Sequence, residues 1–157
     1  MNIKRKIIGV CSGGGHLVQM MAIVKNTDLV FTDVITTVDL VNSKSDSTTF
    51  HKIVDCNVNQ PFRIFICFVQ LIFVLARLRP HCIVSTGAAP GGLALILGKA
   101  FRCKTIWIDS VANTKKASLT GKLVRPFCDV WISQWEQVAS QNKGLYIGKS
   151  INIFNSR

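Results

Sequence analysis

Apolar and polar positions alternate along this chain in two rhythms. Short Val/Ile-rich runs repeat between longer segments with helical spacing. The run 6–12, "KIIGVCS", reads as a buried strand and 16–26, "HLVQMMAIVKN", as the helix after it, stopped at an Asn-Thr-Asp turn. The pattern then predicts strands at 29–38, 50–56, 81–86, 104–110 and 129–134, with one more followed by a tail over 144–154. Helices are predicted over 61–79, opened by Pro61, and 90–102, with a helical turn or short helix over 118–127. The polar stretch 39–49 reads as a surface loop. Strands without internal polar alternation, separated by helices, imply a parallel sheet covered on both faces: a doubly wound, Rossmann-like α/β domain. No internal repeat, low-complexity tract or interdomain linker is visible, so 1–157 is expected to be one domain.

The segment 61–79 departs from the usual amphipathic pattern. Before Leu78 its polar side chains are Arg63, Gln70 and Arg77, spaced seven apart and therefore on one narrow stripe. The rest is apolar around most of the circumference. The uninterrupted apolar stretch is shorter than the ~20 residues of a spanning helix. A spanning helix is thus a lesser reading beside an ordinary core helix, a partner-covered helix and an interfacial helix. For the last two, Phe62, Arg63, Ile66, Phe73, Arg77 and Arg79 are the candidate membrane or partner contacts, with the arginines at lipid phosphates.

Composition sharpens this picture. The 157 residues are 48% hydrophobic and 17% charged, with formal net charge +11. Such a chain is too apolar for disorder and long enough for one core. Its charge points to an anionic partner: nucleic acid, an anionic membrane surface or a phosphorylated substrate. Nucleic acid is set aside, because interleaved aromatics and known modules are missing. The six cysteines form no CxxC pair and no zinc-ligand spacing, and read as reduced, buried thiols. The basic N-terminus carries too short an apolar run for a signal peptide.

Three strand ends carry candidate chemistry, since ligands of doubly wound sheets bind beyond the carboxyl ends of the strands. In "SGGGH", Ser12, Gly13, Gly14 and Gly15 are candidates to hold a phosphate on backbone N–H groups at a helix N-terminus. His16 beside them is a candidate general base. The spacing matches neither GxGxxG nor GxxxxGK[ST], so neither nucleotide motif applies. In "STGAAPGG", Ser85, Thr86 and Gly87 are candidate donors to a phosphate or sugar hydroxyl. In "WIDS", Asp109 and Ser110 end the fifth strand, with Asp109 a second candidate base. The structural alternatives are a tight turn, close strand–helix packing and a cap, respectively.

The segments "CSGGGHLVQM", "VSTGAAPGG", "KTIWIDSVANTKKASLTGKLVRPFCDVWISQW" and "YIGKS", in this order, resemble the acceptor-side subunit of split, inverting GT-B glycosyltransferases. The eukaryotic branch adds the second N-acetylglucosamine to a dolichol-pyrophosphate sugar; the bacterial branch serves capsule and exopolysaccharide assembly. The resemblance covers nearly the whole chain and looks bacterial, because the eukaryotic N-terminal anchor is not seen. It implies the N-terminal half of a GT-B enzyme at the cytoplasmic face of the membrane. A donor-binding partner would supply the C-terminal half and the UDP-sugar contacts, and a polyprenyl-pyrophosphate-linked saccharide would be the acceptor. No metal or other cofactor is implied, and no Asp-x-Asp motif is present. His16 and Asp109 would be the first and second choices of base, and Gly13 to Gly15 would hold the lipid pyrophosphate. The family often has Glu three residues after the histidine, where this chain has Gln19. If that carboxylate is needed for chemistry, the chain becomes a non-catalytic membrane scaffold for its partner; if it braces the loop, little changes.

Overall fold

β1 (Ile7–Cys11), β2 (Asp33–Thr36), β3 (Thr49–Lys52), β4 (Cys82–Gly87), β5 (Lys104–Ile108), β6 (Val130–Ser133) and β7 (Leu145–Tyr146) form one sheet in the order β3-β2-β1-β4-β5-β6-β7. Every pairing in it is parallel. The computed structural model describes residues 6–40 and 48–148. Of the expected surface loop at 39–49, residues 41–47 lie outside the described residues, as does the tail beyond 148, while Thr49 already belongs to β3.

The helices are α1 (Gly15–Asn26), α2 (Pro61–Leu78), α3 (Ala88–Ala100), α4 (Leu119–Val124) and α5 (Glu136–Gln141), with a 3₁₀ turn at Arg125–Phe127. Side chains alternate across the sheet with the strand period of two. Ile8, Val10, Ile83, Trp107 and Trp131 point to one face, where α2, α3, α4 and α5 bury Leu71, Leu95, Val124 and Val138. Cys11, Val34, Val84 and Ile108 point to the other, where α1 buries Met20 and Ile23. Among the described residues α1 is the helix packed on that second face, and Ile7, Cys82, Ile106 and Ile132 there stay half-buried. Helices thus cover both faces, as the sequence leads one to expect, but unevenly.

Two strands are shorter than their apolar runs. β2 keeps four residues, because only these lie in register between β1 and β3. β3 ends at Lys52; Ile53 still donates to Thr36, but Val54 N–H turns to the Gln70 side chain. α5 is not visible in the hydrophobic pattern, since only Val138 and Ala139 of its six residues are buried.

α2 is the one described helix long and apolar enough to cross a membrane by length and composition. It packs against α3, with Cys67, Leu71 and Leu75 fully covered in the larger buried cluster. Its polar stripe is not simply solvated. Arg63 Nε donates to the Asp55 carbonyl (2.8 Å), and Gln70 Oε1 accepts from Val54 N–H (2.8 Å). Phe62, Phe65 and Phe73 are 74%, 64% and 71% exposed. With Val69 and Ala76 they fall on one outward stripe at helical spacing.

Candidate functional site

The strand order reverses between β1 and β4, since β1 leads across to β2 on one side while β4 lies on the other. Ligands of such sheets bind at this switch point, beyond the carboxyl ends. There the register slips. Val10 pairs with Ser85 and Cys11 with Gly87, so Thr86 is left out of the ladder. Its carbonyl is free to accept from His16 Nδ1 at 2.9 Å, and its hydroxyl donates to the His16 carbonyl at 2.7 Å. A carbonyl can only accept, so Nδ1 carries the proton. In its neutral form the ring then presents its lone pair at Nε2, which has no partner among the described residues.

Gly87 makes room for this ring. A Cβ at Gly87 would lie 2.4 Å from His16 Cε1 and Nδ1, and its φ of +137° is one that side chains disfavour. Ala88, next in the chain, is also at positive φ (65°). Strain of this kind is held only where the surrounding structure over-determines it.

The first glycine loop divides its labour. Gly13 N–H donates to Thr37 Oγ1 (2.9 Å), so that amide fastens the loop to the end of β2. Ser12 Oγ makes a long contact to the Gly13 carbonyl (3.4 Å). Gly14, at φ +65°, turns the chain into α1, and neither it nor Gly15 has any atom within 4 Å of a would-be Cβ. No side chain caps α1, and its first internal bond runs from Val18 N–H to the Gly14 carbonyl. The N–H groups of Gly15, His16 and Leu17 precede that bond. They form an open end with partial positive charge beside the His16 lone pair. This narrows the phosphate candidates from Gly13–Gly15 to the turn at Gly14–Gly15 and the helix end.

Asp109 stands differently from its sequence reading. It is 1% exposed, and each carboxylate oxygen accepts twice. Oδ1 takes Trp107 Nε1–H (3.2 Å) and Ser118 Oγ–H (2.8 Å). Oδ2 takes Asn113 Nδ2–H (3.2 Å) and Ser118 N–H (3.3 Å). Such a group braces the loop from β5 to α4 and has no open lone pair for a substrate. Of the two base candidates, His16 has the unbonded acceptor.

Gln19, 2% exposed, donates from Nε2 to the Asp109 carbonyl at 3.0 Å. One helical turn after His16, it locks α1 to the end of β5. A carboxylate in that geometry would face a carbonyl oxygen and repel it, so the amide suits this position as a brace. Ser85 is fully buried and accepts from Gly87 N–H (3.2 Å), tightening the turn below Gly87. Thr86 is equally buried, and its hydroxyl is spent on His16. Ser110 Oγ accepts from Ala112 N–H (3.3 Å) and closes the next turn. Ser85 and Thr86 therefore shape the site rather than face a ligand, while half-buried Ser110 keeps its O–H donor unspent among the described residues. Sequence reasoning missed Thr37, Asn113 and Ser118, the partners that hold Gly13 and Asp109. Ser118 had a signal, since it precedes a helix and caps it through Gly121 N–H. Cys11, at the foot of the site, is an inert thiol whose pKa burial pushes up to about 12. No group of three metal-ligating side chains occurs among the described residues.

A model of the family described as "Oligosaccharide biosynthesis protein Alg14 like" matches residues 7–150. The UDP-N-acetylglucosamine transferase subunit alg14 of Schizosaccharomyces pombe is 41% identical over 59 residues, which are 37% of this chain and 27% of that protein. Its Yarrowia lipolytica counterpart is 27% identical over 84 residues, 48% of this chain and 38% of that protein. The chain thus matches well under half the length of these curated relatives. Among solved structures, Acinetobacter baumannii MurG superposes with a TM-score of 0.67 at 12% identity, over 85% of this chain and 43% of that one. UDP-N-acetylglucosamine 2-epimerase from Rickettsia bellii gives 0.68 at 13% identity, over 88% and 41%. The Methanocaldococcus jannaschii epimerase gives 0.67 at 9%, over 97% and 50%. At such identities the likeness carries the fold alone: a Rossmann-like domain of the GT-B type, matching half or less of each of those chains.

Proposed function

This chain belongs to the Alg14-like family of oligosaccharide biosynthesis proteins, and from that membership we propose that it is the acceptor-binding subunit of a two-component, inverting glycosyltransferase. The donor is a UDP-sugar held by a partner with the other GT-B half. N-acetylglucosamine is the first sugar to try, because the curated relatives are named for it. The acceptor is a polyprenyl-pyrophosphate-linked saccharide at the cytoplasmic face of a membrane, in a capsule- or exopolysaccharide-type assembly. The outward Phe62, Phe65 and Phe73 stripe of α2, flanked by Arg63, Arg77 and Arg79, supports the membrane side of this reading.

The observation that carries the proposal is His16: Nδ1–H fixed on Thr86, Nε2 unpaired, beside an uncapped helix end. The acceptor hydroxyl gives its proton to Nε2 as its oxygen forms a bond to the anomeric carbon. The bond from that carbon to the UDP oxygen breaks, and the electron pair leaves with UDP. One displacement inverts the anomeric centre. The Gly14–Gly15 turn and α1 N–H groups hold the acceptor pyrophosphate, while dipoles and side chains of the partner balance the charge on UDP.

The test is turnover by the reconstituted pair with His16→Ala and His16→Gln. Loss of a general base lowers turnover by roughly 10²–10⁴-fold and removes the acid limb of the pH–rate profile. Turnover near wild type would rule out the base assignment. Equal activity of the partner alone on a soluble acceptor would favour the scaffold reading, whose first support, Gln19, is here a structural brace.

A further inference from the structure

At the opposite, amino edge of the sheet lies a cavity of about 510 Å³, lined by Leu75, Ala76, Arg79, His81, Phe101 and Arg102 among others. Its lining holds two arginines and no carboxylate. Neither guanidinium has a hydrogen-bond or ion-pair partner among the described residues.

The backbone makes these arginines unusual. Arg79 ends α2 at φ 46°, and Arg102 follows α3 at φ 59°. Arg79 N–H bonds to the Leu75 carbonyl (2.8 Å). Arg102 N–H bonds to Lys99 O (3.1 Å) and Cys103 N–H to Gly98 O (2.8 Å). These are left-handed helix terminations, the second a Schellman motif, where glycine is the favoured residue. Countering the helix dipole does not explain them, because Arg77 and Lys99 already occupy the two last turns. Two unrelated helices thus each place an arginine at a position that disfavours any side chain, and both line one cavity.

The rest of the lining selects among anions. His81 Nδ1 accepts from Lys6 N–H (3.3 Å), so the neutral ring carries its proton at Nε2 and offers a third donor. Lys99, close by, is already paired with Asp129. The cavity's apolar wall continues onto the surface: Ala76 belongs to the outward α2 stripe with Phe73, and Phe101 is 42% exposed. Three donors against an apolar wall fit a phosphodiester whose hydrocarbon continues outward.

We propose that this cavity binds the phosphate of an anionic membrane phospholipid, with its acyl chains along Phe73 and Phe101, and so fixes the end of α2 remote from the glycosyl-transfer site. The site deepens the membrane reading of α2 and depends on it.

The test uses the full chain with Arg79→Gly/Arg102→Gly. Glycine relieves both left-handed positions, so the variant is expected to melt at or above the wild-type temperature. The charge-matched control is Lys25→Gln/Lys115→Gln, whose lysines are exposed elsewhere. Binding is measured to phosphatidylcholine vesicles with and without phosphatidylglycerol. The glycine pair is expected to lose roughly tenfold or more of its affinity for the anionic vesicles, the scale of two basic residues at such a surface. The control pair, away from the contact, is expected to lose much less. Equal losses in the two pairs would overturn the site while leaving the membrane reading intact. If the wild type ignores anionic vesicles, the membrane reading fails and the lipid assignment with it. A titration of inorganic phosphate followed at the His81 ring resonances then tells whether the cavity takes free phosphate instead.

Discussion

Gly87 is where sequence, backbone and chemistry meet most closely, because its missing side chain is the space His16 occupies. Gly87→Ala is expected to cost about 1–3 kcal/mol from the disfavoured backbone conformation and to push the imidazole off the Thr86 carbonyl. Turnover should fall with the His16 variants, and the His16 ring resonances should move. Gly14→Ala separates the two effects. Its backbone conformation, outside the allowed regions for side chains, costs about 1–3 kcal/mol, but its would-be Cβ meets nothing within 4 Å, so the imidazole should stay in place. If both substitutions leave the His16 resonances unchanged, Gly87 is not what seats the ring. The glycines, the histidine and the strand-end acid are legible in sequence as a cluster at the carboxyl edge of the sheet, because each closes a predicted strand. It does not make their division of labour legible. Ser85, Thr86 and Asp109 sit at strand ends where a polar residue reads the same whether it faces ligand or core. The register slip that leaves Thr86 unpaired decides the matter, and such a slip has no local signature.

At the scale of elements, α2 carries the sharpest contrast. Leu71 is fully buried under it, while Phe65 and Phe73 stand outward. Leu71→Ala is expected to lower stability by about 2–5 kcal/mol, as for other core truncations. Phe65→Ser/Phe73→Ser removes more hydrocarbon but little buried contact, so its urea midpoint should stay near wild type. Its binding to vesicles should nevertheless fall sharply. A large stability loss in the phenylalanine pair would mean that this stripe is packed within the chain and has no external role. The elements themselves were largely legible, because buried parallel strands and an opening proline give strong signals. Their limits were less so. β2 and β3 end where their neighbours end, and α5 buries two residues, too few to leave a period. The polar stripe of α2 is legible in sequence as a stripe but its partners are not; Arg63 and Gln70 dock on the segment after β3, contacts set by chain return rather than by spacing.

For the whole molecule, the expectation of one domain becomes a question of cooperativity. The buried clusters on the two sheet faces share every central strand, so neither face can open without exposing the other. Trp107 and Trp131 lie in the larger cluster. Burial raises the thiol pKa values there and across the sheet, to about 11 for Cys128 and about 12 for Cys11, and lifts Cys67 further. The thiolate is the reactive form, so these cysteines should resist alkylation near pH 8 while folded. Cys82, half-buried on the face covered by α1 alone among the described helices, should react first. In rising urea, alkylation of Cys11, Cys67 and Cys128 should begin together, at the midpoint reported by tryptophan fluorescence, because a single domain of this size unfolds in one transition. Separate midpoints for Cys11 on one face and Cys67 on the other would show that the α1 side and the α2 side melt independently, and the one-domain reading would give way to two stability units sharing a sheet.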